Sequence, residues 1–219
     1  VPVPAAVNET VGLAKTVGQG YYGRMINAVL RQIAADPDLP DTPMLRYSVP
    51  QPLLAMWQKT YGADATAAFL PYINGRAPLF LVPNPLAEQM NNTGRLIACD
   101  LHPHRVELIR SGARRLHLDC IESRVQDATL HSRDLPAADA ILCDVPCSGF
   151  GILRRKPEIR YKELDSIKDL PALQLSILQT AATYLKPGGR LVYSTCTLHK
   201  KENEKVVSAF LDRHSAFFL

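Results

Sequence analysis

Long apolar runs and a signal-peptide pattern are both missing from this 219-residue sequence. No apolar stretch is long enough to cross a bilayer. The first residues, VPVPAAVNET, have no basic flank followed by a continuous apolar stretch, so a secretory signal is not expected. These absences predict a cytoplasmic protein without a membrane partner.

Cysteines in short, paired spacings are also missing. The sequence has an odd number of cysteines, five in all: Cys99, Cys120, Cys143, Cys147 and Cys196. Cys143 and Cys147 lie four residues apart, but no second pair of Cys or His completes a zinc site. We therefore expect free thiols in a reducing compartment and no metal.

A strong charge excess is absent as well. The net charge is +4, the apolar residues make up 47% and the charged residues 21% of the chain, which is ordinary globular composition. A mild basic excess fits an anionic partner such as RNA, but many proteins without such a role are equally basic. Charge alone does not decide the function.

The first third of the chain has helical periodicity and no strand-like alternation. AAVNETVGLAKTVG and YYGRMINAVLRQIAAD carry apolar residues at helical spacing, a proline-rich break DPDLPDTP follows, and SVPQPLLAMWQKTYG has prolines near a helix start and a glycine at its end. Residues 1–70 are therefore predicted to form a small all-α domain, and residues 71–85 the start of a linking segment.

From Gly94 onward, strands and helices alternate. The predicted strands are GRLIACD, IESRVQDA, DAILCD and RLVYSTC, and the helices are HPHRVELIRSGARRL, LPALQLSILQTAATYL and KENEKVVSAFLDRH. Alternating elements with nearly continuous apolar strands predict an α/β fold whose parallel sheet is covered on both faces. Pro187, Gly188 and Gly189 are expected to form a turn into the last strand.

Acids and a thiol follow the predicted strands. Asp100, Asp127, Asp144 and Cys196 all fall at strand ends, where ligands collect in parallel sheets. By position alone, Cys196 is as well explained as a small packing residue. Cys147, however, also follows a buried strand, beside Asp144, and two thiols converging on one crevice favour a functional site.

Two long motifs carry a family resemblance. DVPCSGFGILRRKPE resembles the D-A-P-C-S-x-x-G-x-x-R-R-x-P signature of the RNA cytosine-5 methyltransferases of the Fmu/Sun/RsmB family, and YSTCTLHKKENE resembles that family's second signature, T-C-S/T followed by E-E-N. INAVLRQI and RYSVPQPLLAMWQKTYG are similar to the NusB-like domain that these rRNA enzymes carry. The resemblance implies a Rossmann-like methyltransferase domain over residues 86–219, preceded by a NusB-like RNA-binding domain.

The resemblance also implies a mechanism. Cys196 would add to carbon 6 of cytosine, Cys147 would assist elimination and product release, and Asp144 would hydrogen-bond the ring-nitrogen edge of the base. Asp144 would also border the cofactor, S-adenosylmethionine. The substrate would be RNA, with ribosomal RNA favoured, and the protein is expected to act as a monomer.

Two further acids are predicted to hold the cofactor. Asp100 is placed to accept both ribose hydroxyls, as the acid of dinucleotide sites does, and Asp127 resembles the family position that bonds the adenine amino group. The alternative for either residue is a helix cap or a surface acid.

A basic run follows the first signature. Arg154, Arg155 and Lys156 are predicted to bind RNA phosphate and to supply positive potential near a thiol, because a free cysteine with a pKa of about 8.5 is mostly protonated at neutral pH. The alternative is a solvated loop.

The family's glycine-rich cofactor loop, D-x-C-A-A-P-G-G-K, is absent from the sequence. PLFLVPNP runs directly into LAEQM, so the interval for the first strand and the loop is missing. Either the sequence omits a flexible interval, which predicts a chain break between Pro85 and Leu86, or the protein lacks it. The first is favoured, because deleting a central strand removes the core that the remaining apolar strands need.

Three functions follow from these observations. The favoured one is an S-adenosylmethionine-dependent RNA cytosine-5 methyltransferase. A non-catalytic RNA-binding protein that keeps the fold is supported by the missing loop but not by the two thiols. A methyltransferase for exocyclic amines would carry an Asn/Asp-Pro-Pro-aromatic motif, from which DVPC departs.

Overall fold

The computed structural model describes residues 3–35, 40–75 and 85–219. Part of the proline-rich break (36–39) and most of the predicted linking segment (76–84) lie outside the described residues. The predicted chain break between Pro85 and Leu86 adjoins them and stays a prediction. The chain divides into two compact units, Val1–Ser48 and Val49–Leu219.

The first unit is helical, as predicted. It contains α1 (Val3–Thr16), α2 (Gly23–Ala35) and α3 (Pro43–Tyr47). Val7 and Ala14 are buried on α1, whereas Met25, Val29 and Ile33 on α2 are exposed. The apolar periodicity therefore identifies the helix, but that face of α2 is uncovered.

The second unit contains the strands. Its helices are α4 (Gln51–Tyr61), α5 (Ala63–Ile73), α6 (Pro85–Gln89), α7 (Pro103–Arg115), α8 (Leu170–Ala182) and α9 (Glu204–Leu211). Its strands are β1 (Leu96–Asp100), β2 (Ile121–Val125), β3 (Ala138–Asp144) and β4 (Leu185–Ser194). None of the described helices is long and apolar enough to cross a membrane.

Helices α4 and α5 form a hairpin within this unit. Helix α4 ends at Gly62, the glycine that the sequence predicted as its stop. The φ of Gly62 is 87°, a backbone conformation that residues with a side chain rarely adopt. Trp57 is buried and meets Phe69 edge-on, with ring centroids 5.2 Å apart. The sequence placed α4 with the N-terminal helices, whereas its contacts group it with the strands; the boundary at residue 70 stays a prediction.

The strands form two parallel pairs. β1 pairs with β2, and β3 pairs with β4. The predicted α/β class with parallel strands is confirmed, but the single sheet is not formed among the described residues, where neither β1 nor β2 pairs with β3 or β4.

The expected turn lies inside β4. The register passes from Ala138 opposite Leu185 to Ala140 opposite Arg190, so residues 186–189 bulge out opposite Asp139. Gly188 has φ 76°, which suits such an irregularity. The strand therefore begins five residues earlier than predicted, with the turn as a bulge in its ladder.

A hydrophobic core covers one face of the β3–β4 pair. Its fully buried members come from the strands, α8 and α9: Cys143, Val145, Ile177, Leu178, Val206 and Phe210. On the opposite face, the register partners Leu142 and Val192 are 47% and 43% exposed. The prediction of a sheet covered on both faces is therefore wrong for this pair.

Helix α7 packs against β1 and β2. Val106 is buried, whereas Leu116, at the same helical spacing further along, is exposed. Leu116 is the C-cap residue that follows α7, so the helical periodicity no longer applies to it.

Candidate active site

The carboxyl ends of β3 and β4 bring two thiols together. Asp144 and Ser194 are register partners, and the Val145 N–H donates to the Ser194 carbonyl at 3.1 Å. Cys147 and Cys196 follow these strands by three and two residues. Because parallel strands end at the same edge, the two Sγ atoms lie 3.1 Å apart.

Both sulfurs are free thiols that reach the surface of the unit. Cys147 is half-buried and Cys196 is exposed. The Cys196 backbone N–H donates to Cys147 Sγ at 3.3 Å. Neither cysteine belongs to the hydrophobic core of the unit, and both residues keep exposed surface at this edge.

The residues that follow each cysteine join the two turns. Ser148 and Thr197 are buried, and their hydroxyl oxygens lie 2.6 Å apart. The Gly151 N–H donates to the Cys196 carbonyl at 2.9 Å. A Cβ on Gly151 would lie 2.8 Å from that carbonyl oxygen, so only glycine permits this approach.

Asp144 lies at the same edge and is exposed. Its charge acts on Cys196, since it is one of the groups that raise the pKa of that thiol. Within the described part of the chain, no hydrogen bond to the Asp144 carboxylate is found. The carboxylate is therefore available to a ligand next to the thiols.

Cys196 is held in its protonated form. Burial, the hydrogen bond to Cys147, and the charges of Cys147 and Asp144 together raise its pKa to about 11, against the smaller effect of a backbone hydrogen bond that lowers it. The sequence suggested that positive potential would favour a thiolate. The groups that shift the pKa of Cys196 are instead an acid and a second thiol, and a contribution from residues 154–156 stays a prediction.

Asp100 is the last residue of β1 and Asp127 follows β2 by two residues, at the strand ends where the sequence placed them. Asp100 Oδ1 accepts the His102 N–H at 2.8 Å, and its Oδ2 is 3.6 Å from Arg105. Asp100 thus closes a turn of its own loop.

The same atom of Asp127 accepts two hydrogen bonds from Thr129. Its Oδ1 accepts the Thr129 N–H at 2.8 Å and the hydroxyl at 2.6 Å, which lowers the pKa of Asp127. Asp127 Oδ2 has no hydrogen-bond partner among the described residues, so one oxygen is available for a polar ligand atom.

The basic run lies in an exposed loop after the Cys147 turn. Arg154, Arg155 and Lys156 are all exposed, and Arg154 Nε donates to the Gly75 carbonyl at 3.4 Å. Lys162, which the sequence did not single out, donates to the Ser148 carbonyl at 3.1 Å. The structure therefore gives Lys162 a direct contact with a thiol turn.

Sequence reasoning missed a buried polar cluster beside the thiols. Gln174 and Glu202 have no exposed surface. Glu202 belongs to the E-N part of the second signature, so the motif could be recognised from the sequence. The burial of its carboxylate could not. Gln174 lies within the apolar pattern of the predicted helix LPALQLSILQTAATYL, and nothing in its spacing indicates a role at the site.

Within residues 3–35, 40–75 and 85–219, no group of three or more His, Cys, Asp or Glu side chains is arranged to hold a metal ion.

Comparisons with known proteins agree with this geometry. A family model described as 16S rRNA methyltransferase RsmB/F matches residues 84–219, and a NusB family model matches residues 1–35. The first covers the thiols and all the strands, and the second covers α1 and α2.

Curated relatives match over the same region. The chain is 44% identical over 135 residues to the probable ribosomal RNA small subunit methyltransferase B of Bacillus subtilis, covering 60% of this chain and 30% of the relative. It is 38% identical over 135 residues to the ribosomal RNA small subunit methyltransferase F of Aeromonas hydrophila, covering 61% and 28%. The chain thus spans less than a third of the length of these relatives.

Solved structures share the fold. PH0851 aligns over 97% of this chain and 68% of its own, with a TM-score of 0.75 and 20% identity. NSun6 from Pyrococcus horikoshii, solved with SFG, aligns over 58% and 33%, with a TM-score of 0.53 and 32% identity. With its two parallel strand pairs and its paired thiols, the chain belongs to the RsmB/F family of 16S rRNA methyltransferases.

Proposed function

We propose that this protein methylates carbon 5 of a cytosine in ribosomal RNA, through a covalent bond between Cys196 and the base, with S-adenosylmethionine as methyl donor. The observation that carries the proposal is the pair of accessible sulfurs 3.1 Å apart beside Asp144. The rRNA methyltransferase names of the relatives and the family support the RNA substrate.

The acids after β1 and β2 fit such a cofactor. Asp100 and Asp127 each use Oδ1 to accept a backbone N–H two residues further along the chain. Asp100 Oδ2 lies 3.6 Å from Arg105, whereas Asp127 Oδ2 has no hydrogen-bond partner among the described residues. Asp100 would hold the ribose hydroxyls and Asp127 the adenine amino group. SFG, an analogue of S-adenosylmethionine, is present in the NSun6 structure, which supports this cofactor class.

The first chemical step forms a bond between Cys196 Sγ and carbon 6. Carbon 5 of cytosine is a poor nucleophile until this addition makes the ring an enamine. Because the pKa of Cys196 is raised to about 11, its proton must leave as the bond forms. Asp144, whose charge acts on this thiol, takes the proton and passes it to the ring-nitrogen edge of the base.

When bound, S-adenosylmethionine supplies an electrophilic methyl group to carbon 5. Release then requires that the carbon-5 proton leaves and that the bond from carbon 6 to sulfur breaks, which restores the double bond. Cys147 lies 3.1 Å from the departing sulfur, close enough to pass it a proton. The carbon-5 proton replaces the one that Cys147 gives. The ring-nitrogen proton leaves to solvent through Asp144, and it is the one net proton released when a sulfonium methyl group is transferred to the base.

The basic loop would hold the RNA backbone. Arg154, Arg155 and Lys156 are exposed in the segment that follows the Cys147 turn. Arginine and lysine at such a position suit phosphate oxygens, and their binding would be weakened by salt.

A covalent trap tests the proposal. RNA that contains 5-fluorocytosine blocks elimination, because fluorine replaces the proton that must leave. Full-length protein with S-adenosylmethionine should give a slowly migrating protein–RNA band on a denaturing gel, and Cys196→Ser should give none. Cys99→Ser, which changes an exposed cysteine on β1, is the matched control and should keep the band.

The outcome also separates the alternative function. If the wild-type protein binds rRNA fragments but forms no Cys196-dependent adduct, the enzymatic proposal is wrong. The protein would then be a catalytically impaired RNA-binding member of the family, as the missing glycine-rich motif would allow.

A further inference from the structure

A buried carboxylate lies behind the two thiols. The Glu202 side chain has no exposed surface, although it is only six residues beyond the accessible Cys196. Burying a charge is costly unless hydrogen bonds replace the lost water. The hydrogen bonds that Glu202 accepts therefore show which groups stabilise the buried carboxylate.

Each oxygen of Glu202 has a partner. Oε2 accepts the Ser148 N–H at 2.8 Å and Gln174 Nε2 at 3.0 Å, and Oε1 lies 2.9 Å from His199 Nδ1. Burial raises the pKa of Glu202, but the hydrogen bonds from His199, Ser148 and Gln174 outweigh it and leave the pKa below its ordinary value. The group is thus an ionised acceptor at neutral pH.

These bonds fix both sides of Cys147. Gln174 Nε2, besides its bond to Glu202, donates to the Pro146 carbonyl at 2.9 Å. The residue before Cys147 and the residue after it are therefore tied to one carboxylate–amide pair. Tyr193 in turn donates its hydroxyl to the Glu202 carbonyl at 2.6 Å, which anchors Glu202 to the end of β4.

We propose that Glu202 is a positioning residue that, with Gln174, holds the Cys147 turn so that its sulfur reaches the Cys196 adduct; this inference rests on the proposed function. Glu202 touches neither sulfur. It acts through the Ser148 N–H, and Gln174 acts through the Pro146 carbonyl.

The proposal separates the two halves of the reaction. Cys196 follows β4, and the Gly151 N–H donates to its carbonyl; no hydrogen bond joins Cys196 directly to the Glu202 carboxylate among the described residues. Loss of that carboxylate should therefore leave bond formation by Cys196 largely intact, while release, which needs Cys147, slows. The covalent complex would then persist on ordinary RNA.

The experiment measures that complex in the full-length protein with S-adenosylmethionine and RNA containing ordinary cytosine. Glu202→Ala should accumulate the denaturation-resistant complex about tenfold above wild type, as expected for loss of a hydrogen bond to a charged group. Cys147→Ala is the positive reference. Glu204→Gln, an exposed acid in the first turn of α9, is the matched control and should behave as wild type.

The conservative variant Glu202→Gln should restore most of the release. Its amide oxygen can still accept from Ser148 and Gln174, while its nitrogen faces His199. Gln174→Met, which keeps the side-chain volume but removes the bond to Pro146, should accumulate the complex in the same direction as Glu202→Ala.

The outcomes separate the two proposals. If wild-type protein forms no 5-fluorocytosine adduct, the proposed function fails. If wild type forms it and Cys147→Ala accumulates complex, but Glu202→Ala releases ordinary RNA at the wild-type rate, the positioning role is overturned. Should Glu202→Ala fail to fold in a thermal melt, Gln174→Met decides: accumulation supports the role and normal release overturns it.

Discussion

The two parallel strand pairs are built very differently. The β3–β4 pair has a buried core with α8 and α9 that includes Val145, Leu178 and Phe210. On α7, which packs against the β1–β2 pair, Val106 is buried but Leu108 is 68% exposed. The pair that carries the thiols is thus the better packed of the two.

The polar groups at the strand ends differ in the same way. The thiol turns are joined by buried hydrogen bonds between residues almost fifty positions apart in the sequence, such as that between Ser148 and Thr197. Asp100 and Asp127 instead bond two residues further along their own loops. The thiol geometry therefore depends on tertiary packing, whereas the conformation of the two acids is local.

The largest expected effect concerns the core of the β3–β4 pair. Phe210→Ala should lower the free energy of unfolding by about 3–5 kcal/mol, because it leaves a cavity among packed side chains. Leu108→Ala, on the exposed side of α7, should change it by less than about 0.5 kcal/mol. Urea denaturation measures both values, and similar losses would contradict the contrast between the pairs.

Two glycine substitutions, one near each strand pair, should change the stability by an intermediate amount and in opposite directions. Gly151→Ala should cost about 1–3 kcal/mol, since its Cβ would meet the Cys196 carbonyl oxygen at 2.8 Å. Gly112→Ala in α7 has open space around the new Cβ and should stabilise the helix by about 0.5–1 kcal/mol. Thermal melts of the two variants test this, and a tolerated Gly151→Ala would mean that the turns can separate freely.

The smallest effect concerns thiol reactivity. Cys196, with a pKa raised to about 11, should alkylate at a rate that keeps rising with pH beyond the ordinary range of a thiol. Asp144→Asn removes a charge that raises this pKa, so the rise should move to lower pH. Iodoacetamide labelling followed by mass spectrometry measures the profile.

Cys99 is the internal reference for that profile. Burial raises its pKa while the charge of Arg124 lowers it, so Asp144→Asn should leave its profile unchanged. A shift at Cys99 in this variant, or none at Cys196, would show that Asp144 does not act on the thiol selectively.

Much of the fold could be predicted from the sequence, because it depends on local periodicity. The apolar runs that end at Asp100 and Asp144 predicted β1 and β3, and the parallel order placed Cys147 and Cys196 at one edge. The separation into two strand pairs could not be predicted, because it depends on which neighbour each strand edge meets.

The electrostatics of the site also escaped prediction. The sequence shows the cations of residues 154–156 close behind Cys147, but the pKa of Cys196 responds to groups in contact, and these are Cys147 and Asp144. The burial of Glu202 was hidden for a similar reason, since the charged stretch HKKENE reads as a solvent-exposed helix start.

The bulge at residues 186–189 has a consequence for how the two thiol turns are aligned. Beyond it, the ladder from Ala140 opposite Arg190 to Asp144 opposite Ser194 is regular. The register of the ladder that leads to the two thiol turns is therefore set by the pairs from Ala140 to Asp144, beyond the bulge. The alignment of Cys147 with Cys196 thus depends on these pairs and not on the path of residues 186–189.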